Sequence, residues 1–188
     1  MHRPVLSHAS VPLVTEVEVV DEAGRTKRIY IPGERPLTIY VNNQELVTLM
    51  TLGGEPEALV LGWLRNQRLI TSLNDVLSVQ VDWDVEAAAV TAQPEVLTAW
   101  NKAQKQRIVT TGCGQGTMFG DVMSDIETIQ LNPDARLSQD VLVEVVSSIR
   151  THPSIYKQAG SVHGCGLFRG TELLMFVEDV GRHNAVDA

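Results

Sequence analysis

Leu37-Thr38-Ile39-Tyr40-Val41-Asn42-Asn43-Gln44-Glu45-Leu46-Val47-Thr48-Leu49-Met50 reads as two strands joined at a tight turn. Leu37 to Val41 is one arm and Glu45 to Met50 the other, both rich in side chains that suit a pleated surface. Between them, Asn42-Asn43 tolerates the left-handed backbone of a two-residue turn, though less readily than Asn-Gly would. A hairpin here makes the first half of the chain β-rich, and the pattern extends in both directions.

Upstream, Val17 and Val19 alternate with Glu16 and Glu18 across Val14 to Val20, the period of a half-exposed strand. Asp21-Glu22-Ala23-Gly24 is a turn, Lys27 to Ile31 the returning strand, and Pro32-Gly33 a break. Downstream, Gly53-Gly54 closes the β region. Glu55-Pro56-Glu57 opens a helix, with proline and acids where N–H groups lack partners and the dipole favours negative charge. Leu61, Trp63 and Leu64 supply its buried stripe, and it ends near Arg65 to Arg68. Val76 to Val81 and Val85 to Thr91 form another β pair around Asp82-Trp83-Asp84.

Gln93 to Gln106 is polar, contains Pro94 and reads either as a short helix or as a linker. It divides the chain into residues 1–104, mostly antiparallel β with one helix, and residues 105–188, where helices and strands alternate. The predicted class is therefore α/β (α+β). In the second part Asp121 to Ile129 is ambiguous. Ser138 is an N-cap for a helix over Gln139 to Arg150, in which Val141, Leu142, Val145, Val146 and Ile149 fall at helical spacing. Pro153 stops it. Ser161 to Phe168 and Glu172 to Glu178 are strands around Arg169-Gly170. Asp179 to Ala188 is a turn opening into a helix, and a domain rarely stops there, so the chain is expected to be cut short of its full length.

An apolar content of 44% and a charged content of 20% over 188 residues are those of an ordinary globular protein. The net charge of −8 argues against a nucleic-acid partner, which calls for a basic face. Two cysteines without a C-x-x-C pair exclude a disulfide framework, a zinc ribbon and a thioredoxin motif. The N-terminus, broken by Pro4, His8 and Pro12, is no secretory signal, and no window approaches the ~18 apolar residues of a membrane span. A cytoplasmic protein without membrane contact is expected.

The chemistry concentrates in three places. In Thr110-Thr111-Gly112-Cys113-Gly114-Gln115-Gly116-Thr117, glycines flank the sulfur, and successive N–H groups of such a turn form an anion-binding nest that favours thiolate. An accessible, activated thiol and a structural corner with a buried cysteine both fit. In Ser161-Val162-His163-Gly164-Cys165-Gly166-Leu167, His163 and Cys165 share one face; Gly164 and Gly166 leave the other bare, for a ligand or for tight sheet packing. In Glu178-Asp179-Val180-Gly181-Arg182-His183-Asn184, polar groups follow an apolar strand; Arg182 suits a phosphate or carboxylate, and the alternative is a solvated turn with an Asp cap. Gly112-x-Gly114-x-Gly116 is only a partial dinucleotide fingerprint, and no G-x-S-x-G elbow exists. Cys113, His163, Cys165 and His183 are zinc ligands by type without finger spacing, so no metal is expected.

Arg35-Pro36-Leu37-Thr38-Ile39-Tyr40-Val41-Asn42, the block Leu49 to Ile70, Thr111-Gly112-Cys113-Gly114, Ser161-Val162-His163 and Glu178 to Asp187 follow in an order that resembles the FdhD/NarQ family of formate dehydrogenase accessory sulfurtransferases. The resemblance implies a cytidine-deaminase-like α/β fold for residues 105–188, without that enzyme's zinc centre, and a homodimer. It implies a persulfide carrier that takes sulfur from a cysteine desulfurase. The sulfur passes to the molybdenum (or tungsten) bis-guanine-dinucleotide cofactor that formate dehydrogenase needs, which is handled as substrate with no tightly bound cofactor. Cys113 then matches the catalytic cysteine, and Gly112, Gly114, His163, Arg182 and His183 the cofactor-binding surroundings. Many members carry C-x-x-C where this chain has Gly116, leaving Cys165 as the other thiol. The alternatives are a non-catalytic cofactor chaperone and a zinc-dependent deaminase-like enzyme.

Overall fold

The hairpin read from Leu37 to Met50 lies at the heart of the structure, a computed structural model that describes residues 3–103, 107–109, 117–119 and 129–188. Among the described residues the strands begin with β1 (Val5–Leu6), β2 (Val14–Val20), β3 (Thr26–Pro32), β4 (Arg35–Val41) and β5 (Gln44–Thr51). They continue with β6 (Val76–Asp82), β7 (Ala87–Ala92), β8 (Arg107–Val109), β9 (Thr117–Phe119), β10 (His163–Arg169) and β11 (Glu172–Asp179). The helices are α1 (Pro56–Asn66), α2 (Pro94–Ala103), α3 (Gln139–Thr151), α4 (Ile155–Ala159) and α5 (Arg182–Asp187), with a 3-10 turn over Leu73–Asp75. The architecture is α+β, and none of the described helices is long and apolar enough to cross a membrane.

Asn42 and Asn43 both take positive φ, 45° and 69°, as a two-residue hairpin turn requires. Asn42 does more than turn the chain: its side chain donates to Ala92 O (2.9 Å) and accepts from Ala92 N–H (3.0 Å), tying the turn to the end of β7. The central sheet has the order β1-β6-β7-β4-β5. The β4–β5 and β6–β7 pairs are antiparallel as expected, but the two hairpins join through a parallel β4–β7 contact, and β1 runs parallel to β6. No local pattern specifies which strand of one hairpin meets which strand of the other.

Leu37, Ile39 and Val41 of β4 point into a core closed by α1 and α2. Leu59, Val60, Trp63 and Leu64 of α1 are buried there, and Trp63 meets Trp100 of α2 with ring centroids 6.0 Å apart. Leu61, expected in the buried stripe, is only half-buried at the margin, because the stripe centres on the 59/60/63/64 positions. Of the two readings of 93–106, the helix holds over Pro94–Ala103, with Pro94 at its start.

The short β1 carries no period to read. It is held from outside: Ser7 Oγ donates to Glu57 Oε1 (2.6 Å), Ala9 N–H donates to the same oxygen (2.7 Å), and Val81 N–H donates to Ser7 Oγ (2.8 Å). Glu57, expected only as a first-turn acid, is thus a buried carboxylate that staples the N-terminal segment across α1 and β6.

β2 and β3 form a separate two-stranded sheet, as do β10 and β11. Ser138 caps α3 as read, its Oγ accepting from Val141 N–H at 3.3 Å. Yet no residue of α3 is buried, although its apolar positions have helical spacing. His152, the residue that ends α3, meets Phe176 of β11, the two ring centroids 4.6 Å apart. The last helix, α5, docks on α1 at Gly62. A Cβ there would stand 1.5 Å from the carbonyl oxygen of Asp187, so only glycine admits the approach.

Candidate functional site

The β10–β11 register pairs His163 with Asp179, at the end of the hairpin where the chain turns into α5. His163, Arg182 and His183 therefore gather around one end of this hairpin, all three exposed. The strand ends and the helix start are adjacent because α5 packs against both β10 and β11. This arrangement offers cationic and imidazole groups to solvent beside the carboxyl end of β11.

The two acids of the same segment lie on opposite sides of β11, as the strand's period of two requires, and each is held by hydrogen-bond donors of a neighbouring element. Glu178 reaches α4, its carboxylate accepting from Ile155 N–H (2.6 Å) and Tyr156 N–H (3.1 Å), the open N–H groups of that helix start. Asp179 is 4% exposed. Its Oδ2 accepts from Thr51 Oγ1 (2.5 Å) and Leu52 N–H (3.0 Å), and its Oδ1 from Gly181 N–H (2.8 Å) and Asn184 Nδ2 (2.9 Å). Asn184 Nδ2 donates also to Met50 O at 2.8 Å. The reading of a solvated turn with an Asp cap is therefore corrected. The cap hydrogen bond to Gly181 exists, but the carboxylate is buried and joins β11 to the end of β5. Thr51 went unnoticed as a partner because 128 residues separate it from Asp179.

The bare face beside His163 and Cys165 is also resolved. A Cβ on Gly164 would stand 2.8 Å from the Phe176 ring, and one on Gly166 would stand 2.8 Å from the Phe168 ring. Aromatic side chains of this hairpin occupy the space a side chain would take, so tight packing accounts for the glycines. Cys165 is half-buried, paired across the ladder with Val177.

Asp187, at the far end of α5, accepts from Asn66 Nδ2 at 2.6 Å. Its pKa is raised above the ordinary 3.8 because burial penalises the charged form; the Asn66 hydrogen bond and attraction to His183 oppose this only in part.

Cys113, Gly112 and Gly114, with Gly116, lie outside the described residues. The flanking strands β8 and β9 pair antiparallel, Val109 opposite Thr117, so the apolar run Arg107-Ile108-Val109 is a strand leading into that stretch of sequence. Among the described residues, no three His, Cys, Asp or Glu side chains group as metal ligands.

This chain is similar to known proteins. Residues 32–188 match the model of the FdhD/NarQ family. The chain is 30% identical over 171 residues to the sulfur carrier protein FdhD of Listeria monocytogenes serovar 1/2a, covering 88% of this chain and 65% of that one. It is 27% identical over 189 residues to the sulfur carrier protein FdhD of Halalkalibacterium halodurans, covering 100% of this chain and 68% of the relative. The chain thus spans about two thirds of the length of such relatives, 65% for the Listeria protein. A crystal structure assigned as a formate dehydrogenase accessory protein from Desulfotalea psychrophila superposes with a TM-score of 0.62 at 22% identity, covering 94% of this chain and 66% of that one, a likeness of fold. By the extent of that match, the chain belongs to the FdhD/NarQ family.

Proposed function

We propose that this chain carries sulfur for the maturation of formate dehydrogenase. Cys113 accepts persulfide sulfur from a cysteine desulfurase and presents it to the molybdenum bis-guanine-dinucleotide cofactor. The observation that carries this reading is the family match across residues 32–188, which includes Thr111-Gly112-Cys113-Gly114 and the Glu178-to-Asn184 segment. Relatives named sulfur carrier proteins support it.

In the loading step the Cys113 thiolate attacks the terminal sulfur of the donor persulfide. A new S–S bond forms, the donor S–S bond breaks, and the donor cysteine leaves as thiolate without net oxidation or reduction. The glycines at 112 and 114 suit a thiol that a partner protein must reach. The exposed Arg182 and His183, with His163 beside them, suit the anionic pyrophosphates of a guanine-dinucleotide ligand. Gly116 leaves no neighbouring thiol in the loop, so Cys165 is the thiol of this chain that could resolve the persulfide. A cytidine-deaminase-like arrangement of residues 105–188, cytoplasmic location and a homodimer belong to the same reading. The exposed apolar residues of α3 and the β10–β11 hairpin support the dimer.

Intact-protein mass spectrometry after incubation with a cysteine desulfurase and cysteine tests the loading step. The expected result is the added mass of one sulfur atom, mapped to Cys113 and lost in Cys113→Ser. No adduct on Cys113, or full support of formate dehydrogenase activity by Cys113→Ser, would sink the carrier role and favour a non-catalytic chaperone.

A further inference from the structure

We infer that Asp179 is the positioning residue for Arg182 and His183, a two-sided bracket that sets where these side chains stand relative to the end of β5. The inference rests on reading Arg182 and His183 as ligand-binding groups. One carboxylate oxygen, Oδ2, holds the sheet side, Thr51 Oγ1 and Leu52 N–H. The other, Oδ1, holds the helix side, Gly181 N–H and Asn184 Nδ2. The remaining Asn184 N–H closes the ring on Met50 O.

These donors flank Arg182 and His183 directly, Gly181 before them and Asn184 after. Two further features make the bracket specific. Gly181 is held close, since a Cβ there would lie 3.0 Å from Asn184 Nδ2. Thr51 itself is 1% exposed and takes Gly53 N–H on its hydroxyl at 3.1 Å, so the sheet side cannot shift to follow a displaced turn.

A carboxylate alone serves four donors in this way. An amide at the same position offers one acceptor oxygen and turns an NH2 group toward donors, so one side of the bracket must open. The C-terminal end of α5 has its own anchor on α1, through Gly62 and the Asn66–Asp187 hydrogen bond. Opening the bracket therefore releases the first turn of α5, with Arg182 and His183 on it, while the helix stays docked.

The test compares Asp179→Asn, Thr51→Val, Thr51→Ser and Arg182→Ala, with GDP as the probe and titration calorimetry as the readout. Asp179→Asn is expected to weaken GDP binding at least tenfold, and Thr51→Val severalfold. Thr51→Ser, which keeps the hydroxyl donor, restores wild-type affinity. In an Arg182→Ala background Asp179→Asn adds a smaller loss than it does in the wild type, because the Arg182 share of its effect is already gone and only the His183 share remains. The His183 imidazole proton resonances shift in Asp179→Asn and Thr51→Val and stay in place in Thr51→Ser. If wild-type protein ignores GDP, the ligand reading fails, and the His183 resonances alone decide the bracket. Should Asp179→Asn not fold, the Thr51 pair carries the test. Unmoved His183 resonances in the folded variants, or equal losses with and without Arg182, would overturn the proposal.

Discussion

In the central sheet, Leu37, Ile39 and Val41 of β4 are wholly buried, whereas in α3 Leu142, Val146 and Ile149 remain 47%, 46% and 38% exposed. Both segments carry apolar residues at the correct period for their element. The sheet meets α1 and α2, so its apolar face leaves water, each side chain contributing on the order of 1.5–3 kcal/mol. α3 meets a two-stranded hairpin that also shows apolar groups to solvent, Leu167 and Met175 among them. Periodicity specifies which face is apolar; burial needs a second surface of matching size, and α3 has no such surface among the described residues.

The sharpest way to break this comparison is to truncate one leucine in each region. Leu37→Ala is expected to cost about 2–5 kcal/mol, the range for a core leucine that leaves a cavity. Leu142→Ala should stay within about 0.5 kcal/mol, as at a surface position. Urea unfolding curves of the two variants measure both, and equal losses would mean that α3 is covered in solution.

Glycine replacement sharpens the same contrast. Gly62→Ala forces a Cβ onto the Asp187 backbone and should cost about 3 kcal/mol or more, the upper end of overpacking. Gly170→Ala meets open space and suffers only its left-handed φ of 61°, about 1–2 kcal/mol. Thermal melts compare them, and a Gly62→Ala protein as stable as Gly170→Ala would remove the α1–α5 docking from the account.

The smallest effects are in pH. Asp75, in the capping box with Ser72, has its pKa lowered below 3.8, chiefly by hydrogen bonds from the backbone N–H groups of Ser72 and Thr71. Its stabilisation is present above pH 3.8 and disappears as pH falls through the lower folded value. Asp187 is the reverse: its raised pKa makes the folded state hold its proton longer, so stability declines as pH rises from 3.8 through the raised value. Melting temperatures followed from about pH 3 to pH 7 should lose the first slope in Asp75→Asn and the second in Asp187→Asn. Unchanged profiles would show that neither carboxylate is coupled to folding.

Much of this was readable locally. The Asn42-Asn43 turn, the Ser138 cap, the Pro56 helix start and the strand pairs each depend on residues within a few positions, where backbone preference and side-chain period operate. The candidate site was legible as composition: His163, Arg182 and His183 were named from their segments, and the hairpin register brings them to one end. Their supporting shell was not legible. Glu178 and Asp179 look like exposed acids in sequence, yet one caps α4 and the other is buried against β5. Gly164 and Gly166 suggested an open face that Phe176 and Phe168 fill, since ring placement depends on the cross-strand partner and the bulge after Leu167.

The sequence by itself determined where most of the strands, turns and helices lie, because those choices are settled by forces acting over one to four residues; β1 and the short α4 went unread. Only the tertiary structure decided that the β4–β5 and β6–β7 hairpins join in parallel, that β1 is stapled by Glu57, and that Asp179 holds β5 to the turn before α5. Each of those contacts spans tens of residues or more. A hydrogen bond between groups so far apart has no local signature; it exists once burial has brought the elements together and left those polar groups no water to turn to.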